Sequence, residues 1–153
     1  MSTHFVDSNI FYYHFLQDKV QGPRATEIIR RIRNGEAAAT SVIVVSELTS
    51  LFEFRIMQTE RRKDLSQVEK QYITERFKKA ITDFQDMITA LIHLEKLDCT
   101  WNDAQKVFRY RSEYKLDFND AANLAAIERE NISSIYSFDK SFDVVSWLKR
   151  EQS

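Results

Sequence analysis

LDFNDAANLAAIERENISSIYSFDKSFD, residues 116–143, carries two groups of carboxylates, Asp117 with Asp120 and Asp139 with Asp143. Between them Ala121, Ala122, Leu124, Ala125 and Ile127 keep a helical period with small side chains, and Ile132 to Tyr136 is a short apolar run. That order predicts helix, turn, strand. A carboxylate opening the helix and another just past the strand meet at one edge of a parallel sheet, where open α/β sheets build their sites.

Length and composition bound the rest. At 153 residues the chain fits one domain, 1–153, large enough to bury a core without disulfides or structural metal. With 43% hydrophobic residues, two Gly and one Pro, it is not a disordered or fibrous chain. The lone Cys99 excludes an internal disulfide, and His4, His14 and His93 are too scattered for a zinc site. The start, MSTHFVDSNIFYYHF, has no basic leader or cleavage site, and no stretch reaches the roughly 20 apolar residues that span a bilayer. A cytoplasmic protein without membrane contact is expected. The net charge of −1 conceals basic clusters at Arg30, Arg31 and Arg33, at Arg61, Arg62 and Lys63, and at Lys78 and Lys79. Such runs are solvated helix faces or polyanion surfaces.

From the N-terminus, His4-Phe5-Val6 predicts a brief strand that stops at Asp7, and Asp7-Ser8-Asn9 supplies capping groups for a helix from Ile10 to about Leu16. Gly22-Pro23 marks a turn. Ala25, Ile28, Ile29 and Ile32 then predict a second helix, with Glu27 and Arg31 paired four apart. Ala37 to Thr40 reads as a small buried strand, after which Thr40 or Ser41 caps a helix carrying Val44, Val45, Leu48, Leu51 and Phe52 inward. Glu47 sits in the first turns of that helix. Alone, Asp7 and Glu47 need no role beyond capping and the helix dipole. What singles them out is that each follows a strand.

Ser66-x-x-Glu69 is a capping box that opens a long helical pattern reaching Leu94, a helix of roughly 44 Å that must break or protrude. Ile92 to Cys99 reads either as its end or as a short strand. Thr100-x-x-Asp103 caps a further helix, with Ala104, Val107 and Phe108 inward and Arg109, Arg111 and Lys115 trailing toward the acidic stretch. The tail, Ser141 to Leu148, reads as a short amphipathic helix with Phe142, Val145 and Leu148 apolar.

The predicted fold class is therefore α/β: a three-layer sandwich with a mostly parallel central sheet, flanked by helices, and a long helical section in mid-chain. Right-handed crossovers put the carboxyl ends of its strands on one side. Asp7 follows the first strand, Glu47 the second and Asp139 the last, while Asp120 opens the helix before it. Carboxylates so placed repel strongly at low effective dielectric and persist together only with a cation. Oxygen donors without His or Cys favour Mg²⁺ or Mn²⁺ over zinc.

Asp7-Ser8-Asn9-Ile10 after a strand, Ser46-Glu47-Leu48 on a helix, Asp120-Ala121 opening a small-residue helix and Ser137-Phe138-Asp139-Lys140-Ser141-Phe142 after a strand together resemble the PIN-domain nucleases, especially the VapC-type toxins. The resemblance spans nearly the whole chain. It implies Asp7, Glu47, Asp120 and Asp139 as a catalytic quartet holding one or two Mg²⁺ or Mn²⁺ ions. It also implies endonucleolytic hydrolysis of RNA by a metal-activated water, leaving a 5′-phosphate and a 3′-hydroxyl. Ser8 or Asn9, and Ser137, correspond to polar positions that orient metal, water or phosphate. A homodimer and a small antitoxin protein are the implied partners.

Two features depart from the commonest pattern of that family. Asp117 and Asp143 are additional acids, so Asp117 and Asp120 can exchange or share a role, although Asp117 precedes the helix and suits a cap. The section from Ser66 to Leu97 is longer than a minimal toxin needs. Arg109, Arg111 and Lys140 are the candidate phosphate-holding cations. A housekeeping RNA-processing nuclease without an antitoxin, or a catalytically silent interaction module, are the competing readings.

Overall fold

The structure, a computed structural model, describes residues 2–152. Five strands, β1 (His4–Val6), β2 (Ala38–Ser41), β3 (Leu94–Leu97), β4 (Ser134–Tyr136) and β5 (Lys149–Glu151), form one all-parallel sheet in the order β3-β2-β1-β4-β5. Six helices flank it: α1 (Ser8–Phe15), α2 (Gly22–Arg33), α3 (Val42–Glu60), α4 (Gln67–Ala90), α5 (Trp101–Tyr114) and α6 (Phe118–Arg129). A 3₁₀ turn, Lys140–Val144, links β4 to β5. The chain winds from β1 out to β3, then returns to β4 on the other side of β1. That reversal opens a crevice at the carboxyl ends of β1 and β4.

The register fixes what reaches the crevice. Val6 lies beside Tyr136, so Asp7 stands level with Ser137, and its N–H donates to the Tyr136 carbonyl at 3.0 Å. Every residue of β2 is buried, and its small Ala-Ala-Thr-Ser side chains let helices pack close on the sheet. α6 is likewise buried at each position from Ala121 to Ile127. A helix buried all round sits inside the protein rather than on it. Its one buried amide, Asn123, accepts from the Ser41 hydroxyl at 2.5 Å. Phe11 and Phe84 lie 5.1 Å apart and Tyr12 stacks on Phe52 at 5.7 Å, tying α1 to α3 and α4. Burying each such ring contributes about 1.5–3 kcal/mol.

Several local expectations are corrected. Pro23 lies inside the first turn of α2 rather than in a turn before it, a position where its missing N–H has no cost. Glu27 pairs with Arg30, at 2.5 Å, because Arg31 turns toward Glu36 and covers the Tyr136 ring. Ser66 caps α4, but the Glu69 carboxylate returns to the Ser66 hydroxyl instead of its backbone. The long pattern ends at Ala90, giving a helix of about 36 Å packed along α3. Leu94–Leu97 is then a strand. Phe108 is 75% exposed, and Tyr110 takes the inward position on α5. The tail is not a helix to Leu148: Phe142, Val145 and Leu148 are buried, but their spacing of three serves the 3₁₀ turn and the approach to β5. No helix among the described residues is long and apolar enough to cross a membrane.

Candidate metal-binding active site

Asp7 ends β1 and caps α1, so one short stretch both turns the chain and aims a carboxylate into the crevice. It is 3% exposed. Its Oδ1 accepts from the Ser8 N–H at 2.8 Å, and its Oδ2 accepts from Ser137 Oγ at 2.7 Å and Asn9 Nδ2 at 3.3 Å. Asn9 Oδ1 accepts from the Phe138 N–H at 3.1 Å, and the Ser137 hydroxyl accepts from the Asp139 N–H at 3.0 Å. Ser8, Asn9 and Ser137 thus form the frame that joins β1 to the segment after β4.

Glu47 projects from α3, whose start is fixed by Ser41 accepting from the Val44 N–H at 3.1 Å. The Ser8 hydroxyl donates to Glu47 Oε1, and Asn119 Nδ2 donates to Oε2 at 2.9 Å. Asp117 caps α6 by accepting from the Asp120 N–H at 2.8 Å, as its place before the helix suggests. Asp120 lies in the first turn, half-buried, and its carboxylate accepts no hydrogen bond among the described residues. Asp139 is half-buried and accepts from Ser141 N at 2.9 Å and Ser141 Oγ at 2.6 Å.

The electrostatics separate these acids from the others. Burial pushes Asp120 up to about 8, with Asp7, Asp117, Asp139 and Glu47 adding repulsion. Asp7 is raised to about 6, chiefly by burial and against the bonds from Ser137 and Ser8, with Glu47 and Asp139 pushing the same way as burial. No cationic side chain among the described residues lies within ion-pairing distance of Asp7, Glu47, Asp120 or Asp139. Neutral groups alone hold Asp7, Glu47 and Asp139. By contrast, Asp103 is held by Arg129 at 3.2 Å and Asp143 by Arg150 at 2.7 Å. Arg150 holds the Asp143 carboxyl below its ordinary range; Asp103 ends below it too, burial being outweighed by bonds from Thr100 and Arg129. Asp7 and Asp120, perturbed and without a counter-charge within ion-pairing distance among the described residues, are the candidates for a functional role.

This donor set fits a hard divalent cation in charge and chemistry: all oxygen, net repulsive and without a protein cation. The acids are not drawn into a closed cage, since no three His, Cys, Asp or Glu among the described residues form a ready ligand group.

Among the remaining sequence candidates, Asp143 faces Arg150 instead of the quartet. Arg109 lies over the Tyr110 ring and reaches Glu128, eight residues beyond Asp120 and so about 12 Å further along α6. Arg111 is exposed in the last turn of α5, which leads into Asp117, and Lys140 is exposed beside Asp139. A concavity of about 540 Å³ beside α5, lined by Thr100, Lys106, Arg109 and Arg129 among others, includes none of the four acids. Sequence reasoning missed Asn119. Its only signal is its place beside Asp120, because its contact spans 72 residues.

The family model of the PIN domain matches residues 4–148, and the chain belongs to that family. No curated protein matches it in sequence. Among solved structures it is similar to VapC20 of Mycobacterium tuberculosis, described as a sarcin–ricin loop cleaving toxin, with 16% identity and a TM-score of 0.65 over 97% of this chain and 98% of that one. It is also similar to a chain of VapBC2 from Rickettsia felis bound to a promoter DNA fragment, with 16% identity and a TM-score of 0.60 over 97% of each. A toxin–antitoxin complex from Klebsiella pneumoniae gives 16% identity and 0.58 over 95% of this chain and 94% of that one. At these identities the likeness is one of fold.

Proposed function

We propose that this chain is a divalent-metal-dependent endoribonuclease, the toxin of a toxin–antitoxin pair. The observation that supports the reading is that Asp120 is pushed up by burial and by Asp7, Asp117, Asp139 and Glu47, while Asp7, Glu47, Asp120 and Asp139 have no cationic partner within ion-pairing distance among the described residues. Asp7, Glu47, Asp120 and Asp139 would hold one or two Mg²⁺ or Mn²⁺ ions. Such an ion supplies positive charge facing a phosphate and a water acidic enough to attack it near neutral pH.

The chain's own groups prepare that chemistry. Ser137, Asn9 and the Ser8 N–H hold the Asp7 carboxylate in one orientation. Asp120, raised to about 8 by burial and by its acidic neighbours, would give up its proton on holding a cation, whose positive charge favours the ionised carboxylate. We assign to the RNA backbone the exposed Lys140, next to Asp139, and Arg111, in the last turn of the helix that leads to Asp117. Paired to Glu128, Arg109 is a weaker candidate. An antitoxin partner is supported by neighbours solved as toxin–antitoxin assemblies. A homodimer acting in the cytoplasm completes the reading.

The test is cleavage of a labelled, structured RNA pool by purified protein with Mn²⁺ or Mg²⁺, with chelator, and with Asp7→Asn in parallel. Cleavage that disappears under both controls supports the assignment. Cleavage that survives chelation and substitution overturns it.

A further inference from the structure

We propose that Asn119 is a positioning residue that sets the Glu47 carboxylate for the divalent ion, a role resting on the metal-dependent reading above. Glu47 is the longest of the four acid side chains, and it reaches the crevice from a helix of its own, α3. An unrestrained Glu loses rotamer freedom when it is fixed. Here both oxygens are already engaged: Oε1 by the Ser8 hydroxyl and Oε2 by Asn119 Nδ2 at 2.9 Å. The two donors come from different helices, α1 and α6.

Asn119 suits this role by chemistry and by place. An amide donates one directed hydrogen bond and carries no charge, so it orients the carboxylate and leaves its negative charge for a cation. A Lys or Arg at the same point would neutralise Glu47, as Arg150 does Asp143. Asn119 precedes Asp120 in the first turn of α6, and Asp117 fixes that turn through the Asp120 N–H at 2.8 Å. One turn of helix therefore presents Asp120 itself and, through Asn119, locks the Glu47 of another helix. Removing such outer partners of metal ligands weakens metal affinity 10- to 100-fold in general.

The experiment is Mn²⁺ binding by calorimetry, without RNA, to the unaltered protein, Asn119→Ala, Glu47→Ala, the double variant, and Phe118→Ala as a control in the same turn. Asn119→Ala is expected to bind about tenfold more weakly. Phe118→Ala should bind as the unaltered protein does, and in the Glu47→Ala background Asn119→Ala should add no further loss. Unchanged affinity in Asn119→Ala, or a full tenfold loss that persists without Glu47, overturns the assignment of Asn119 and leaves the metal reading standing. Failure of the unaltered protein to bind Mn²⁺ overturns the metal reading and this inference together.

Discussion

The Ser137 hydroxyl donates to Asp7 Oδ2 at 2.7 Å, joining the carboxyl ends of β1 and β4 where the strand order reverses. The same hydroxyl oxygen accepts from the Asp139 N–H at 3.0 Å, so one buried hydroxyl ties the first of the four candidate acids to the last. Sheet topology brings the two segments together. The hydroxyl then sets the carboxylate's orientation, which topology alone leaves free.

Ser137→Ala should separate orientation from ligation. It removes a bond that lowers the Asp7 pKa, so Asp7 rises further and holds its proton to higher pH. Mn²⁺ affinity should fall about tenfold, with the pH of half-maximal binding displaced upward, and stability should drop by about 1–2 kcal/mol. Asp7→Asn should abolish binding at every pH. Calorimetric titrations from pH 5 to pH 8 distinguish the two.

Metal-free protein should lose stability as pH rises. Asp7 and Asp120 ionise near 3.8 when unfolded but only near about 6 and about 8 when folded, so the unfolded state sheds their protons first. Their contribution is fully present below the unfolded value and is lost progressively as pH climbs to about 8. Asp103 and Asp143 shift the other way, so the stability they contribute is present above their unfolded value and is lost as pH falls. Asp120→Asn should flatten the decline and, with chelator at pH 8, exceed the unaltered protein by on the order of 1 kcal/mol, discounted for solvent screening at a half-buried group. Urea denaturation at several pH values measures it; a variant less stable than the unaltered protein at pH 8 would show that Asp120 is not repelled. Mn²⁺ should restore the lost stability in the unaltered protein.

The acids were legible because each is written locally. His4-Phe5-Val6-Asp7 and Ile135-Tyr136-Ser137-Phe138-Asp139 are strands ending in carboxylates, and Asp117-x-x-Asp120 is a helix start. That they lie toward one edge of the sheet is what parallel crossovers lead one to expect. What stayed hidden depends on partners distant in sequence. Asn119 has meaning only once Glu47 is beside it, and β5 is Lys-Arg-Glu, three charged residues with no strand pattern, held as a strand by pairing with β4. Phe108 was misplaced because the spacing of four from Ala104 fits a face that the fold leaves to solvent, while Asp103, Val107 and Tyr110 turn inward.

Buried polar satisfaction gives a third prediction. Ser41 Oγ both accepts from the Val44 N–H and donates to Asn123 Oδ1 at 2.5 Å, linking the start of α3 to the centre of α6. Asn123→Ala strands that hydroxyl in the core and opens a small void, so it should cost about 1–3 kcal/mol. Asn123→Asp, which keeps an acceptor but buries a charge, should cost more. Thermal unfolding of both variants checks the order. A change below about 0.5 kcal/mol for Asn123→Ala would mean that the contact is not maintained in solution.

Arg150 and Asp143 separate a structural carboxylate from a functional one. Arg150 Nε and Nη2 hold Asp143 at 2.7 and 3.1 Å, and Nη1 donates to the Ser137 carbonyl at 3.2 Å, so β5 braces the segment that carries Asp139. Asp143→Asn should leave Mn²⁺ affinity within about twofold and stability little changed, because its side chain is 49% exposed and can hydrate. Asp139→Asn should weaken Mn²⁺ binding far more at little cost in stability. Arg150→Ala leaves the Ser137 carbonyl without its donor and should cost about 1–3 kcal/mol. It should also weaken Mn²⁺ binding by loosening the turn that presents Asp139. Equal loss of Mn²⁺ affinity in Asp143→Asn and Asp139→Asn would return Asp143 to the site, and the ion pair with Arg150 would then be a resting contact that the metal breaks.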